Sequence, residues 1–99
     1  MAKLYYGNGD CSIEGENIKG VQISFRGNVQ VDAKLPTGYE LIVANNQIII
    51  FPLNPVESLN TLFTYRGDLK IVSVLVADNN ANKVSTTIRR VMDYSEFGI

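Results

Sequence analysis

The sequence lacks histidine altogether and has a single cysteine, and these two shortages exclude most familiar catalytic and metal sites. Histidine is the commonest general base, the usual partner of a serine or cysteine nucleophile and the most frequent metal ligand. Cys11 has no second cysteine for an intrachain disulfide, and a lone cysteine near a strand is more often a small buried apolar residue than a nucleophile. We therefore predict a protein that is not an enzyme and has no cofactor and no metal ion.

An excess of charge of one sign is missing too. The chain has nine Lys plus Arg against ten Asp plus Glu, a formal net charge of -1, so no strong field gathers phosphates by counterion release. No apolar run approaches the roughly 18 residues of a membrane span, and the N-terminal segment contains no signal-peptide stretch. We expect a protein made in the cytoplasm, without a nucleic-acid or membrane partner.

What the sequence does contain is typical of one small β domain. Its 99 residues, 45% of them hydrophobic, fit a single core, so we predict one domain over residues 1–99. Asparagines stand between the apolar runs, where turns are expected, and many turns imply many short strands. The predicted fold class is all-β: a small antiparallel β-sandwich or barrel of about seven to nine short strands.

Two segments have the alternation of hairpins. Apolar and polar residues alternate in 21–25 and in 29–33 around Gly27-Asn28, and a three-residue loop at 26–28 keeps the apolar residues of both strands on one face. The second candidate hairpin joins Tyr39–Ala44 to 47–51 through Asn45-Asn46, a pair suited to a type I′ turn.

The register of the second hairpin follows from its two-residue loop. It pairs Val43 with Ile48 and Leu41 with Ile50 on one face, and Ile42 with Ile49 on the other. Both faces are therefore apolar, which indicates either central strands or a face that meets a partner.

The rest of the chain is predicted as follows. Asn54-Pro55 resembles a helix start, with Asn as the cap and Pro at the first position, so we predict one short helix near residues 55–61 or, as the alternative, a turn. Residues 62–65, 69–77 and 83–92 are predicted strands, and the segments around 4–6 and 11–13 are candidate edge strands.

An internal repeat links two of these regions. Residues 24–31 (Ser-Phe-Arg-Gly-Asn-Val-Gln-Val) align without gaps on 64–71 (Thr-Tyr-Arg-Gly-Asp-Leu-Lys-Ile). The shared pattern suits one turn geometry used twice, in which Gly takes a positive φ and Asx caps the turn. We interpret it as two similar hairpins on facing sheets of a sandwich or barrel.

Two motifs resemble binding sites. Arg66-Gly67-Asp68 spells the integrin-binding tripeptide, but the sister turn at 26–28 has the same form without the acid, so turn formation explains both. Asp78, Asn80 and Asn82 have the spacing that opens a calcium loop. Lys83 stands where such a loop needs Gly, and the final Glu is missing as well, so an Asn-rich turn is the better interpretation.

Aromatic and apolar residues are the better candidates for a functional surface. Tyr5, Tyr6, Tyr94 and Phe97 lie near the termini, where they suit docking onto a neighbouring subunit, although packing on their own core is an equal alternative. With Ile42 and Ile49 they form the predicted interface set. Phe25, Phe51, Phe63 and Tyr65 lie in strong strands and are predicted core residues.

The whole chain resembles small all-β accessory proteins from the virions of tailed bacteriophages, especially cyanophage-like viruses. The features that carry the resemblance are the length of about 100 residues, Asn-rich turns, no histidine, no leader and a short tail at 93–99 after the last strand. The resemblance implies a non-enzymatic structural subunit of the virion, in the capsid decoration, neck, tail or baseplate. Its implied partners are copies of itself and other virion structural proteins.

A second hypothesis comes from another class of protein. The same composition fits a monomeric β-sandwich module that binds a carbohydrate or a cell-surface ligand, and exposed aromatics with Asn and Asp on neighbouring loops would favour it. An oligonucleotide-binding barrel would need basic and aromatic residues interleaved on one face, and the balanced charge argues against that.

Overall fold

The computed structural model describes residues 1–55 and 57–91, and in this part the chain forms ten β-strands and no helix. The strands are β1 (Ala2–Gly7), β2 (Asp10–Glu14), β3 (Ile18–Arg26), β4 (Val29–Ala33), β5 (Tyr39–Ala44), β6 (Gln47–Pro52), β7 (Thr61–Gly67), β8 (Lys70–Asp78), β9 (Lys83–Val84) and β10 (Thr86–Arg90).

These strands form two five-stranded sheets that pack face to face. Sheet A has the order β10-β1-β2-β7-β4 and sheet B the order β5-β6-β3-β8-β9. Neighbouring strands are antiparallel, except that β1 and β10 run parallel. The predicted all-β class is confirmed, and the architecture is a sandwich with ten strands rather than seven to nine. The extra strands arise partly because the predicted strand 83–92 is divided at Ser85 into β9 and β10.

The core lies between the sheets and follows the two-residue period of the strands. In β3, Ile18, Val21, Ile23 and Phe25 are buried, while the residues between them face outward. Sheet A contributes inward side chains in the same way, among them the fully buried Leu4. Because β1 and β2 supply part of this core, they lie inside sheet A and are not the edge strands that the sequence suggested.

The β5–β6 hairpin has the predicted register. Leu41 lies opposite Ile50, Ile42 opposite Ile49 and Val43 opposite Ile48. Its turn residues Asn45 and Asn46 have φ of 52° and 60°, as a type I′ turn requires. Of the two alternatives for these strands, a central position does not hold for β5, which forms the edge of sheet B.

The predicted hairpin between 21–25 and 29–33 is wrong. β3 belongs to sheet B and β4 to sheet A, so the chain crosses from one sheet to the other at Gly27-Asn28. The reason is that β6 and β8 already occupy both hydrogen-bonding sides of β3, and no side is left for β4. β4 pairs instead with β7.

The internal repeat encodes two such crossings, which pair with each other. The second copy of the repeat passes from β7 in sheet A to β8 in sheet B at Gly67-Asp68. Its residues run antiparallel to those of the first copy, with Phe25 opposite Ile71 on one side of the crossing and Val29 opposite Gly67 on the other.

Hydrogen bonds also join the two crossings. The Asp68 N–H donates to the Asn28 carbonyl at 2.9 Å, and the Arg66 guanidinium donates to Gln30 Oε1 at 3.1 Å. The register relates the two copies by an approximate two-fold axis between Asn28 and Asp68. We call the two crossings, at Gly27-Asn28 and at Gly67-Asp68, the paired corners.

The helix predicted near 55–61 is not formed in the described residues of that segment. These described residues are irregular up to Asn60, and Leu59 fills the core with only 1% of its surface exposed. Their polar groups bond to β3 rather than to a helix: the Leu59 N–H donates to the Ile18 carbonyl at 2.8 Å, and the Ile18 N–H donates to Ser58 Oγ at 2.8 Å. The Asn54 N–H donates to Gly38 at 3.1 Å, so the Asn-Pro pattern makes a turn.

Replacing Gly27 by alanine should destabilise the protein by about 2 kcal/mol or more. Gly27 has φ of 107°, and an added Cβ would collide with the Asp68 carbonyl of the other corner. Gly20→Ala is the matched control, because the nearest atoms to its added Cβ lie 3.8 Å away. Urea unfolding of both variants measures the difference, and equal midpoints would contradict a close approach of the two corners.

Candidate protein-contact surface

The outward face of sheet B is apolar at its centre. Alternation along the strands and the register across them place Ile42, Ile49, Gln22 and Leu75 in one row from β5 to β8. Ile42 is 48% exposed and Leu75 50% exposed, so these side chains face solvent in the isolated chain. With Phe51 beside them, we call Ile42, Ile49, Phe51 and Leu75 the apolar face.

The polar groups of this face are largely paired or peripheral. Gln22 Nε2 donates to Gln47 Oε1 at 3.1 Å, so the two amides satisfy part of each other's hydrogen-bonding capacity. The charged residues of this face lie around the row: Glu40 on the edge strand β5, Lys83 on β9, and Arg26 with Lys70 at the end of β3 and β8. An apolar centre with a polar rim is the usual anatomy of a protein–protein interface.

The outward face of sheet A is different in composition. Its central rows place Tyr5 opposite Ser12 and Arg89, and Gln30 opposite Arg66. Lys3, Asp32 and Thr64 lie on the same face. One side of the sandwich is therefore a normal solvated surface and the other is not, although both cover the same core.

The predicted interface residues are divided between these places. Ile42 and Ile49 both belong to the apolar face, and Tyr5 lies half-buried on the opposite, polar face. Tyr6 takes the alternative that the sequence left open: it is 5% exposed, and its hydroxyl accepts a 3.4 Å hydrogen bond from the Ile71 N–H. Tyr94 and Phe97 lie outside the described residues.

Two members of the apolar face were not identified as surface residues by sequence reasoning. Phe51 was predicted to be core, but its position in β6 between the buried Ile50 and the end of the strand directs it outward, where it is half-buried. Leu75 lies within the apolar run of β8, and its alternation with the inward Val74 and Val76 was the available signal. Alternation divides the residues of β8 into two sets but does not show which set faces the core. It therefore identifies Leu75 as a surface residue only once the orientation of β8 is known.

Comparison with known proteins supports the fold. No family model matches the chain, and no curated protein sequence does. Among solved structures, a non-cellulosomal cohesin from the hyperthermophilic archaeon Archaeoglobus fulgidus matches over 98% of this chain and 96% of that one, with a TM-score of 0.58 and 14% sequence identity. The chain has a cohesin-like β-sandwich fold. At this identity the similarity concerns the fold alone.

The cohesin-like sandwich also has a shallow apolar depression beside the apolar face. It has a volume of about 450 Å³ and lies around Gly20, where the missing side chain leaves space between Pro52, Leu53 and Ala77. Leu53 is 63% exposed at its border. The depression therefore extends the apolar surface of sheet B toward one end of the sandwich.

A larger open cleft, of about 820 Å³, lies at the paired corners. Its lining includes the cations Arg26, Lys70 and Arg90, with Asp68 as the one carboxylate among the described lining residues. The arrangement has the wrong composition for general acid–base chemistry, which needs a base of suitable pKa close to its substrate. We assign it no catalytic role.

The Cys11 thiol is unsuited to nucleophilic chemistry. Only 3% of the residue is exposed, in the core of sheet A opposite Phe63, and burial raises the pKa of the thiol to about 12. The thiolate is the reactive form, so such a thiol is inert near neutral pH.

Asp78 forms an Asn-rich turn rather than the first ligand of a calcium site. One carboxylate oxygen accepts from the N–H groups of Asn80 and Asn82, each at 2.9 Å. These backbone hydrogen bonds lower the pKa of Asp78. Residues 1–55 and 57–91 contain no group of three or more acidic, Cys or His side chains placed to hold a metal ion. The same residues contain no helix long and apolar enough to cross a membrane.

The native protein should resist alkylation at Cys11. With the pKa of the thiol at about 12, roughly one thiol in ten thousand is ionised at pH 8, so iodoacetamide should label the unfolded chain in urea but not the folded one. Mass spectrometry of both samples measures this. Rapid labelling of the folded protein would contradict the burial of Cys11.

The stability of the protein should fall as the pH rises above about 8.5, the pKa of an unfolded cysteine. Above that pH the unfolded chain loses the thiol proton while the folded chain keeps it up to about 12, so rising pH favours unfolding. Urea unfolding at several alkaline pH values should show a smaller loss for Cys11→Ala, which removes this contribution. An identical pH dependence for both proteins would be the contrary result.

Asp78 should titrate below the ordinary aspartate pKa of about 3.9. Its hydrogen bonds favour the charged form, so their contribution to stability is present above the unfolded pKa and is lost as the pH falls through the lower folded pKa. An NMR titration of the carboxyl carbon measures the midpoint. A midpoint at or above 3.9 would show that the turn does not depend on the carboxylate.

Proposed function

We propose that this protein is a non-enzymatic structural subunit that acts through protein–protein contacts made by sheet B. The observation that carries the proposal is the difference between the two outward faces: one is polar, while the other presents the half-exposed Ile42 and Leu75 in one row with Ile49 and Gln22. Large apolar side chains gathered on one face of a folded domain are typical of an interaction site.

The chemistry of the described residues supports a role without catalysis. The chain has no histidine, and its one thiol is buried with a raised pKa. The cohesin-like fold is compatible with such a role, because a rigid sandwich can present a flat sheet face to another protein.

The ligand-binding module is the weaker alternative. Sugar-binding sites use exposed aromatic rings, and in residues 1–55 and 57–91 every aromatic side chain is buried or half-buried. Tyr5, Phe51 and Tyr65 are the half-buried ones, and they lie on three different strands. No described aromatic ring stands free on a loop as a stacking platform.

A virion is the setting that we propose for this subunit. The proposal rests on the resemblance in length, Asn-rich turns and missing histidine to small accessory proteins of tailed bacteriophages. In that setting the partners are copies of the chain itself and other structural proteins of the capsid decoration, neck, tail or baseplate. Immunogold labelling of particles from an infected culture that produces this chain tests the setting, and label absent from the particles would exclude it.

Charge at the β5–β6 end of the apolar face should abolish assembly without unfolding the domain. Ile42→Lys and Ile49→Lys place an ammonium group in the centre of the proposed contact, whereas Tyr5→Lys is a control on the polar face. Sedimentation velocity at micromolar concentrations should show a defined oligomer for the wild type and the control, and monomer for the two isoleucine variants.

Circular dichroism completes this test. Retained β signal in the isoleucine variants shows that the lost contact lies between molecules. Global unfolding of both would show that these residues are core, and a strictly monomeric wild type would remove the proposed self-assembly.

A further inference from the structure

The edge strand β5 has the side-chain pattern of a strand inside a sheet. Both of its faces are apolar, a pattern typical of strands with a neighbour on each side. Ile42 on the outward face is 48% exposed and Val43 on the inward face is 46% exposed, although Ile48, opposite Val43, is fully buried. The strand is therefore incompletely covered on both faces at once.

The other three sheet edges are shorter than β5 and more polar. β10 ends in Arg89 and Arg90, β4 contains Asp32 and leads into Lys34, and β9 has only two residues. Charged, short or interrupted edge strands prevent unwanted pairing. β5 has six residues, no proline, no irregularity in its register with β6, and Glu40 as its single charge.

We propose that β5 pairs antiparallel with β5 of a second copy, which joins the two B sheets into one continuous ten-stranded sheet. The inference rests on the proposed function and specifies its partner and geometry. Since β5 is the longest edge strand in the described part of the chain and the one with two apolar faces, pairing through it closes a two-fold dimer whose joined sheet ends on each side in the two-residue β9.

The free backbone groups of β5 are placed for this pairing. In a hairpin with a two-residue loop, the flanking residues Ala44 and Gln47 are a hydrogen-bonded pair, and hydrogen-bonded pairs alternate along the ladder. The N–H and C=O groups of Leu41 and Val43 consequently point away from β6. In a pairing centred on Ile42, Leu41 lies opposite Val43 of the second copy, so these groups bond to each other.

The same register suits the side chains. Ile42 meets Ile42 of the second copy at a non-hydrogen-bonded position, where side chains approach most closely. Glu40 lies opposite Ala44 of the second copy, so no like charges meet. A second copy is thus complementary in backbone, apolar contact and charge, and pairing would cover the exposed Val43 with an apolar neighbour.

Two variants separate edge pairing from contact through the apolar face. Val43→Pro removes an N–H that points away from β6, so it should block the edge and spare the β5–β6 ladder. Leu75→Lys alters the apolar face three strands away, about 14 Å from β5. Sedimentation velocity of the full chain should show a dimer for the wild type and for Leu75→Lys, and monomer for Val43→Pro with retained β circular dichroism.

Other outcomes overturn the proposal in distinguishable ways. A dimer that survives Val43→Pro but is lost in Leu75→Lys would mean that the apolar face makes the contact, and self-assembly would stand without edge pairing. A strictly monomeric wild type would contradict edge pairing and self-assembly alike. A strand of a different protein would then be the remaining partner for β5.

Amide exchange of the wild type provides a test that does not depend on a variant. The Leu41 and Val43 amides should exchange several-fold more slowly at concentrations where the dimer forms than in the monomer, because pairing converts them to ladder donors. Ile42 is the internal control, since its N–H already bonds to β6 in the monomer. Equal exchange of Leu41 and Val43 at both concentrations would overturn the pairing.

Discussion

The close approach of the two Gly-Asx corners is the contact on which the rest of the structure depends. At Gly27 and Gly67 the chain passes between the sheets, and each glycine lies against the carbonyl oxygen of the Asx residue in the other corner. A side chain at either glycine would force the two crossings apart. Because β3 and β8 leave the corners as neighbours in sheet B, and β4 and β7 as neighbours in sheet A, one contact fixes a strand pair in each sheet.

That constraint also determines which surfaces the sandwich presents. With β3 and β8 held together at the middle of sheet B, β9 pairs with the other side of β8 and the β5–β6 hairpin adds beside β3, so β5 becomes an edge. The outward row from Ile42 to Leu75 then lies on a face that no other described part of the chain covers. Self-assembly through this sheet would satisfy side chains that the isolated domain leaves half-exposed.

Features that depend only on residues close together in the chain, such as the register of a tight hairpin, were predicted correctly from local sequence patterns. The register of the β5–β6 hairpin could be derived because Asn45-Asn46 fixes the turn and a two-residue loop leaves one pairing. The helix start at Asn54-Pro55 misled because the backbone groups of that segment bond to β3 and Gly38, which are distant in sequence. The internal repeat was recognised, but it was interpreted as two hairpins and not as two crossings between the sheets. A Gly-Asx turn fits a hairpin and a crossing between sheets equally well.

The sequence by itself determined the β class, the turn positions, the inward and outward alternation within each strand and the scarcity of catalytic side chains. These follow from residue type and two-residue periodicity, which require no knowledge of neighbours. Only the tertiary structure decided that β3 and β4 lie in different sheets, that Tyr6 is core while Leu75 is surface, and that β5 is an edge. Strand neighbours are set by competition for hydrogen-bonding sides among segments far apart in the chain, and no local pattern records the outcome.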